Sequence, residues 1–368
     1  MRVLEVGGGI AAAFATHLLG GYGAEVVRSE GDGEGHHRGQ GEVPLTEDEA
    51  VYLLAGKRRV SFDDDELRAL ALDVDLVVED QPPGALAGRG LDPVALRAER
   101  PELIVVSVTP FGQDGPYAGF QTTNAVSFAL SGIMSLTGDG HRPPLVSGGS
   151  QAQYLGGLNA FGAAVTAWLG RLVQGEGDWI DVSCQEAAAS MVELYVPGTA
   201  HGEPVQLRMG NQVRAVWGLY PCVDGYAGAF CLERQIRGLF SALDDPELDD
   251  ERFTDPLRRL DPDVNDELLA KMYGFFADRT KADVLDLGPR YKVPFGVVMT
   301  PGDLLAAPGL AERGFWDQVE LGDGRAATVP GRPFPSLGWQ GGGRLHEPGE
   351  DTATVRAELG ADAGGSGR

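Results

Sequence analysis

A glycine- and serine-rich turn that opens a long helix of small residues is the stretch of this 368-residue chain best suited to chemistry. Gly148, Gly149 and Ser150 form the predicted turn, and the small residues that follow predict a helix that other backbones approach closely. The first turn of a helix offers free backbone N–H groups, which bind an anion or a developing oxyanion. An ordinary close-packed core helix has the same composition, so the stretch alone leaves both interpretations open.

Two adjacent histidines, His36 and His37, lie in the loop-like segment 31–44. Imidazole titrates near neutral pH, so His37 is a candidate general acid or base. A solvated histidine pair without a catalytic role is the alternative interpretation.

The densest basic cluster, Lys57-Arg58-Arg59, precedes a predicted strand over Val60–Phe62. Lysine and arginine bind phosphates through charge-assisted hydrogen bonds, so the cluster is a candidate phosphate contact. Three aspartates follow at positions 63–65, and ion pairs with them are the equally supported alternative.

The acidic composition limits the partners of this chain. Lys and Arg number 30 against 54 Asp and Glu, for a net charge of −24, which opposes binding to nucleic acid and to anionic membranes. The spacing of the three cysteines indicates neither a disulfide framework nor a zinc site, so we expect no metal. The sequence shows no signal-peptide pattern and no apolar run of spanning length, and we therefore expect a cytoplasmic protein.

Strands and helices alternate through most of the chain, which predicts an α/β fold with a parallel sheet. The first unit is a strand over Val3–Val6, a glycine turn, a helix over Ile10–Leu19 and a strand over Gly23–Ser29. Later predicted strands cover 76–79, 103–108 and 179–182, and predicted helices cover 124–136 and 184–196. A separate block near 204–303 has a strand pair and three helices.

The chain resembles the family III CoA-transferases, the group that also contains formyl-CoA transferase, carnitine CoA-transferase and the α-methylacyl-CoA racemases. The resemblance extends nearly end to end. It is carried by segments that include VLEV (Val3–Val6), GKRRVSF (Gly56–Phe62), VVEDQPPGAL (Val77–Leu86), VTPFGQDGPYAG (Val108–Gly119), GEGDWIDVSCQEAA (Gly175–Ala188) and GLYPCVDGYAG (Gly218–Gly228).

This resemblance implies a Rossmann-like large domain over residues 1–203, a smaller α+β domain over 204–303 and a return to the large domain over 304–360. Residues 361–368 read as a disordered tail. The resemblance also implies an interlocked homodimer and a site for coenzyme A or an acyl-CoA. The residues that we assign to coenzyme A binding are Gly8, Gly9, Ile10, Arg28, Lys57, Arg58, Asp80, Gln81 and Arg89.

The catalytic positions of the family are altered in this chain. The family's nucleophilic aspartate corresponds to Gln153, and a carboxamide cannot perform covalent carboxylate catalysis, although it donates hydrogen bonds to an oxyanion. The racemase histidine corresponds to Thr123, and Asn124 stands where the family usually has aspartate. The glutamate that follows the DGY strand matches Glu233.

We therefore expect a divergent, biosynthetic enzyme that acts on an acyl thioester, or a related carbonyl compound, by non-covalent oxyanion and acid–base chemistry. Coenzyme A or a carrier protein presents the acyl group in this interpretation. Three alternatives stay open. They are a genuine acyl-CoA:carboxylate CoA-transferase with an altered site, a racemase-like epimerase using Glu233, and a catalytically inactive binding or scaffold homologue.

Overall fold

The computed structural model describes residues 1–30, 45–193, 195–202, 208–334 and 338–365. Their contacts divide the chain into two compact units. The larger unit comprises Met1–Ser135, Val146–Val205 and Gly309–Arg368, and the smaller comprises Leu136–Leu145 and Gln206–Pro308. The segment 136–145, which the predicted boundaries place in the large domain, thus belongs to the smaller unit.

A six-stranded parallel sheet forms the centre of the larger unit, as the sequence predicts. Its strands are β1 (Arg2–Val6), β2 (Glu25–Ser29), β3 (Arg58–Val60), β4 (Leu76–Glu79), β5 (Ile104–Thr109) and β6 (Trp179–Ser183). Most strand residues are buried, because helices cover both faces and the strands are nearly continuous runs of β-branched and other apolar residues.

The strand order β3-β2-β1-β4-β5-β6 places the switch of direction between β1 and β4. Val6 of β1 is in register with Ser29 of β2 and with Glu79 of β4, so these three strands end together. Ligands of open parallel sheets bind outside the carboxyl ends of the strands at such a switch point. The glycine turn after β1 and the residues after β4 therefore lie where a ligand site is expected.

Nine α-helices lie between residues 10 and 200 of the described ranges. They are α1 (Ile10–Gly21), α2 (Glu47–Leu54), α3 (Asp64–Asp73), α4 (Pro93–Glu99), α5 (Asn124–Leu130), α6 (Ile133–Leu136), α7 (Gln151–Gln174), α8 (Cys184–Ala189) and α9 (Tyr195–Ala200).

Two of the predicted helices are shorter than expected. The helix predicted over 124–136 is broken at Gly132, whose φ of +89° lies in the left-handed region and ends α5. The helix predicted over 184–196 ends at Ala189 and continues as a 3₁₀ turn over Ser190–Val192. The predictions of continuous helices are therefore wrong.

The smaller unit has an antiparallel sheet in the order β10-β9-β8-β7, formed by β7 (Gln212–Arg214), β8 (Trp217–Cys222), β9 (Gly225–Phe230) and β10 (Phe295–Val297). Its helices are α10 (Ile236–Leu243), α11 (Glu251–Thr254), α12 (Pro262–Ala277), α13 (Lys281–Tyr291) and α14 (Pro301–Ala306). Tyr220, Phe253, Met272 and Phe276 are completely buried in its core.

The remaining segment follows as α15 (Pro308–Glu312), β11 (Trp316–Glu320), β12 (Ala326–Pro330), β13 (Gly343–Arg344) and α16 (Thr352–Gly365). The final helix extends beyond residue 361, where the sequence predicts a disordered tail. In the part of the chain that the structure describes, no helix has both the length and the apolar character that crossing a membrane requires.

Candidate active site

Close packing of α1 against α7 brings the first turn of α7 to the glycine turn after β1. A Cβ added to Gly157 would lie 2.6 Å from the carbonyl oxygen of Ala11, so only glycine allows this approach. Tyr154 contacts Phe14 edge to face, with 5.0 Å between the ring centroids. The ring centroids of Phe161 and Tyr22 are 6.3 Å apart. The two helices therefore run in the same direction and begin at the same end.

Gln153, the predicted catalytic position, is buried in this first turn of α7 with 8% of its surface exposed. Its backbone N–H donates to the Ser150 carbonyl oxygen at 3.1 Å. The site geometry thus places a neutral amide, which has both a donor and an acceptor, beside the carboxyl edge of the sheet. Such a group polarises a carbonyl oxygen through a hydrogen bond.

Asn124 holds the turn that precedes Gln153. Its Nδ2 donates to the Gly149 carbonyl oxygen at 2.9 Å, and its Oδ1 accepts from the Ala152 N–H at 2.9 Å. Thr123 is exposed at the start of α5, and its hydroxyl does not cap that helix. The structure therefore brings Thr123 and Asn124 to the turn before Gln153, and it shows a positioning contact for Asn124.

Replacing Asn124 with aspartate is expected to lower the free energy of unfolding of the larger unit by about 0.5–1.5 kcal/mol, because the carboxylate can no longer donate a hydrogen bond to the Gly149 carbonyl oxygen. Urea unfolding of Asn124→Asp measures this change. Thr123→Ser is the matched control and should leave stability unchanged, since the Thr123 hydroxyl makes no capping bond. Equal stability of the aspartate variant and the wild type would contradict the bridging role.

The glycine turn after β1 is occupied by a side chain of the protein itself. Asp80, which follows β4, accepts from the Gly8 N–H at 3.2 Å and from the Gly9 N–H at 2.8 Å. A Cβ at Gly7 would lie 1.8 Å from the Asp80 carboxylate oxygen. Burial raises the pKa of Asp80 to about 7, although the Arg28 guanidinium lowers it. The Gly8 and Gly9 amides therefore hold a carboxylate in this structure.

Three polar atoms at the same edge of the sheet are buried and have no hydrogen-bond partner among the described residues. They are the Ser29 hydroxyl at the end of β2, the Gln81 Nε2 after β4 and the Thr109 hydroxyl at the end of β5. Buried polar groups are ordinarily hydrogen-bonded, to a ligand or water where protein partners are lacking. Sequence reasoning missed Ser29 and Thr109. The available signal was a hydroxyl residue closing each apolar strand.

Glu5 forms a buried ionic cluster beneath the turn, which sequence reasoning also missed. The Lys57 ammonium donates to Glu5 Oε2 at 2.8 Å and to the Thr16 hydroxyl at 2.7 Å, and Arg28 donates to Glu5 as well. Burial raises the pKa of Glu5, but Arg28 and Lys57 outweigh it and lower that pKa to about 2. Arg28 and Lys57 thus lie in the interior, and their binding of coenzyme A stays a prediction.

The other basic candidates are held by acidic partners on the surface. Arg58 pairs with Glu25 at 2.8 Å and with Glu358 at 2.9 Å, and Arg89 pairs with Asp64 at 2.7 Å. The alternative that residues 57–59 pair with the aspartates at 63–65 is wrong. Asp63 instead caps α3 by accepting from a backbone N–H at 2.9 Å. Ile10 is buried against α2.

Glu233 lies in the smaller unit, where Arg259 donates to both of its carboxylate oxygens. Arg259 is 8% exposed, and its other terminal nitrogen donates to the Phe253 carbonyl oxygen at 2.5 Å. The pair borders a cavity of about 180 Å³. The remaining catalytic candidate, His37, lies outside the described residues.

No group of three or more metal-ligating side chains occurs together in the described ranges. Cys184, Cys222 and Cys231 form no disulfide in the structure, and Cys184 is buried against Gly156.

Comparison with known proteins agrees with the resemblance seen in the sequence. The family model for CoA-transferase family III matches residues 1–352. The subunit BbsE of succinyl-CoA:(R)-benzylsuccinate CoA-transferase from Thauera aromatica is 28% identical, over 98% of this chain and 94% of the relative. The succinate–glutarate CoA-transferase of Agrobacterium fabrum is also 28% identical, with the same coverage.

A solved structure shows the same fold. A CaiB/BaiF family protein from Brucella suis superposes with a TM-score of 0.84 at 25% identity, over 98% of both chains. The matched length includes the six-stranded sheet and the smaller unit. The chain therefore belongs to CoA-transferase family III.

Proposed function

We propose that this chain binds an acyl thioester of a dicarboxylic acid at the carboxyl edge of the parallel sheet, and that Gln153 donates a hydrogen bond to a reacting oxygen instead of attacking it. The observation that carries this proposal is the place of Gln153, buried in the first turn of α7 at the end where the glycine turn lies. A carboxamide there favours oxyanion stabilisation over a covalent intermediate.

The relatives support the choice of ligand. The names of both compared transferases join succinate or succinyl-CoA with a second acid, benzylsuccinate in one and glutarate in the other. The buried hydroxyls of Ser29 and Thr109 and the amide of Gln81 supply polar contacts at the sheet edge. Coenzyme A or a carrier protein presents the thioester in this proposal.

The name of one relative favours a second candidate function. BbsE is called a subunit, and it matches this chain over nearly its whole length. A chain without the nucleophilic carboxylate would then assemble with a second chain of the same fold that carries one at the position of Gln153. The alternative assembly is the homodimer that the family resemblance implies.

An apolar surface on α7 supports a partner chain of either kind. Leu158, Leu169, Leu172 and Val173 are 50%, 58%, 67% and 86% exposed in the single chain. Large apolar side chains exposed together mark a protein-interaction surface. Native mass spectrometry separates the two assemblies, since a homodimer has twice the chain mass of 38.9 kDa and a mixed complex has another mass.

Mass spectrometry of succinyl-CoA, glutaryl-CoA and the free acids, incubated with the protein in heavy water, tests the proposed chemistry. Deuterium gained at the α-carbon, or another change in the acyl group, is expected without transfer of CoA between acids. Incorporation of ¹⁸O from a labelled free acid into the protein would show a covalent carboxylate intermediate and would overturn the proposal. Turnover that appears only when the second chain is added would support the subunit function instead.

A further inference from the structure

The N terminus of α1 presents an anion-binding position that the protein fills with its own carboxylate. The two Asp80 oxygens accept from consecutive N–H groups, those of Gly8 and Gly9 at 3.2 and 2.8 Å. The positive end of a helix favours negative charge, and the backbone N–H groups point at it. α1 is a regular helix of 12 residues, so its N terminus carries the partial positive charge of the helix dipole.

A second observation marks the same turn as the border of a ligand position. Ser29 ends β2 and Gln81 follows the end of β4, the two strands that flank β1, and these residues are 1% and 4% exposed. Neither the Ser29 hydroxyl nor the Gln81 Nε2 has a hydrogen-bond partner among the described residues. Buried polar groups are ordinarily hydrogen-bonded, so these two atoms are suited to contact a ligand or a water at this edge of the sheet.

We propose that Asp80 competes with the ligand for this turn, and that an anionic group of the ligand reaches the Gly8 and Gly9 N–H groups only after Asp80 takes up a proton and releases them. The inference rests on the proposed function, since an acyl-CoA of a dicarboxylic acid is polyanionic. The anionic group is a phosphate of coenzyme A or the carboxylate of the acid. Asp80 thereby makes the binding of anionic ligands depend on pH.

The charges that face Asp80 are consistent with a proton change near neutral pH. Arg28 approaches from β2, Glu5 from β1 and Glu79 from its own strand. The first residues of α1, Ile10–Ala13, are apolar and buried. Burial raises the pKa of Asp80 to about 7, so its protonated form is available below that pH and its carboxylate predominates above it. Affinity for an anion should therefore fall as pH rises.

Isothermal titration of the full chain with coenzyme A and, separately, with succinate tests this inference at pH 6 and pH 8. Wild-type affinity for the ligand whose anion uses the turn should be about 10-fold weaker at pH 8 than at pH 6, because each ligand bound requires uptake of one proton and the protonated fraction of Asp80 falls about 10-fold over this range. Asp80→Asn should bind that ligand equally well at both pH values. Asp48→Asn, which changes an exposed aspartate of α2, should behave as the wild type.

Comparison of the variants separates Asp80 from the titration of the ligand's own phosphates. If only the affinity for coenzyme A depends on pH, the group that binds the turn is a phosphate. If only the affinity for succinate depends on pH, it is a carboxylate. If Asp80→Asn does not fold, the heats of succinate binding in two buffers of different ionisation enthalpy give the proton uptake of the wild type with a ligand that carries no phosphate. The inference is overturned by equal pH dependence in wild type and Asp80→Asn, by absence of proton uptake, or by no binding at either pH.

These outcomes are distinct from failure of the proposed function. Thioester turnover with the same pH dependence in wild type and Asp80→Asn leaves the function standing and removes the role of Asp80. Proton-coupled binding without turnover of any thioester keeps the role of Asp80 and removes the proposed chemistry.

Discussion

Replacing Lys57 with methionine is expected to lower the free energy of unfolding of the larger unit by about 3–5 kcal/mol, the range for removing one partner of a buried ion pair. The Lys57 ammonium, 2% exposed, donates to Glu5 Oε2 at 2.8 Å, the Thr16 hydroxyl at 2.7 Å and the Ala13 carbonyl oxygen at 2.8 Å. The methionine variant leaves Glu5 buried with one cation instead of two. The loss of stability therefore measures the cost of leaving the buried Glu5 carboxylate with too little compensating charge, and it is not the net contribution of the ion pair to folding.

The effect has a pH dependence whose sign follows from Glu5. Because the folded pKa of Glu5 is lowered from 4.5 to about 2, its contribution to stability is present above pH 4.5 and is lost as pH falls toward 2. In Lys57→Met the pKa of Glu5 rises. The stability difference between wild type and variant should therefore be largest near neutral pH and should shrink in acid.

Urea unfolding at pH 7 and at pH 3 measures both statements. Lys271→Met is the matched control, since Lys271 pairs at 2.6 and 2.7 Å with Asp245 and Glu247 at the surface of the smaller unit. Exposed pairs contribute about 0–1 kcal/mol. A loss in Lys57→Met as small as that of the control would show that the cluster has no structural role.

Lys57 also shows what local sequence reasoning can and cannot provide. The basic cluster itself is evident, but the partner of Lys57 is 52 residues away in β1, and pairing over that distance depends on the strand order. A glutamate inside the apolar run VLEV was the one available signal, because a buried charge requires a partner. The strands were predictable because LVVE and IVVSVT are short segments rich in apolar, β-branched residues, which a local pattern identifies.

In the candidate site, too, some features could be predicted from the sequence and others depend on the fold. Gln153 was identified because the resemblance aligns it with a catalytic position, and no local pattern distinguishes it from Gln151. The bridging contacts of Asn124 depend on the distance between α5 and the turn before α7, which spacing does not give. Asp80 was assigned to coenzyme A binding through the resemblance, but its contact with the Gly8 and Gly9 amides follows only from the register of β1 and β4.

Gln153→Ala should reduce kcat for the thioester that the enzyme turns over by about 10²–10³-fold, the range for removing one oxyanion donor, with a smaller change in KM. Gln151→Ala is the matched control. Gln151 is exposed in the same turn, and its Nε2 donates only weakly, to the Gly148 carbonyl oxygen at 3.3 Å. We expect the control to retain wild-type kcat, measured by steady-state kinetics with mass-spectrometric detection of product.

The Gln153→Asp variant tests whether Gln153 acts as a hydrogen-bond donor or is a replacement of the nucleophile that has no catalytic role. A carboxylate cannot donate, so non-covalent turnover should fall as far as in Gln153→Ala. The variant should also become labelled by hydroxylamine in the presence of succinyl-CoA, because its carboxylate can form an acyl anhydride and then a thioester. Full activity of both variants without labelling would place the chemistry elsewhere. Labelling of wild type at another residue would identify a nucleophile that replaces the missing aspartate, and the donor role of Gln153 would then be wrong.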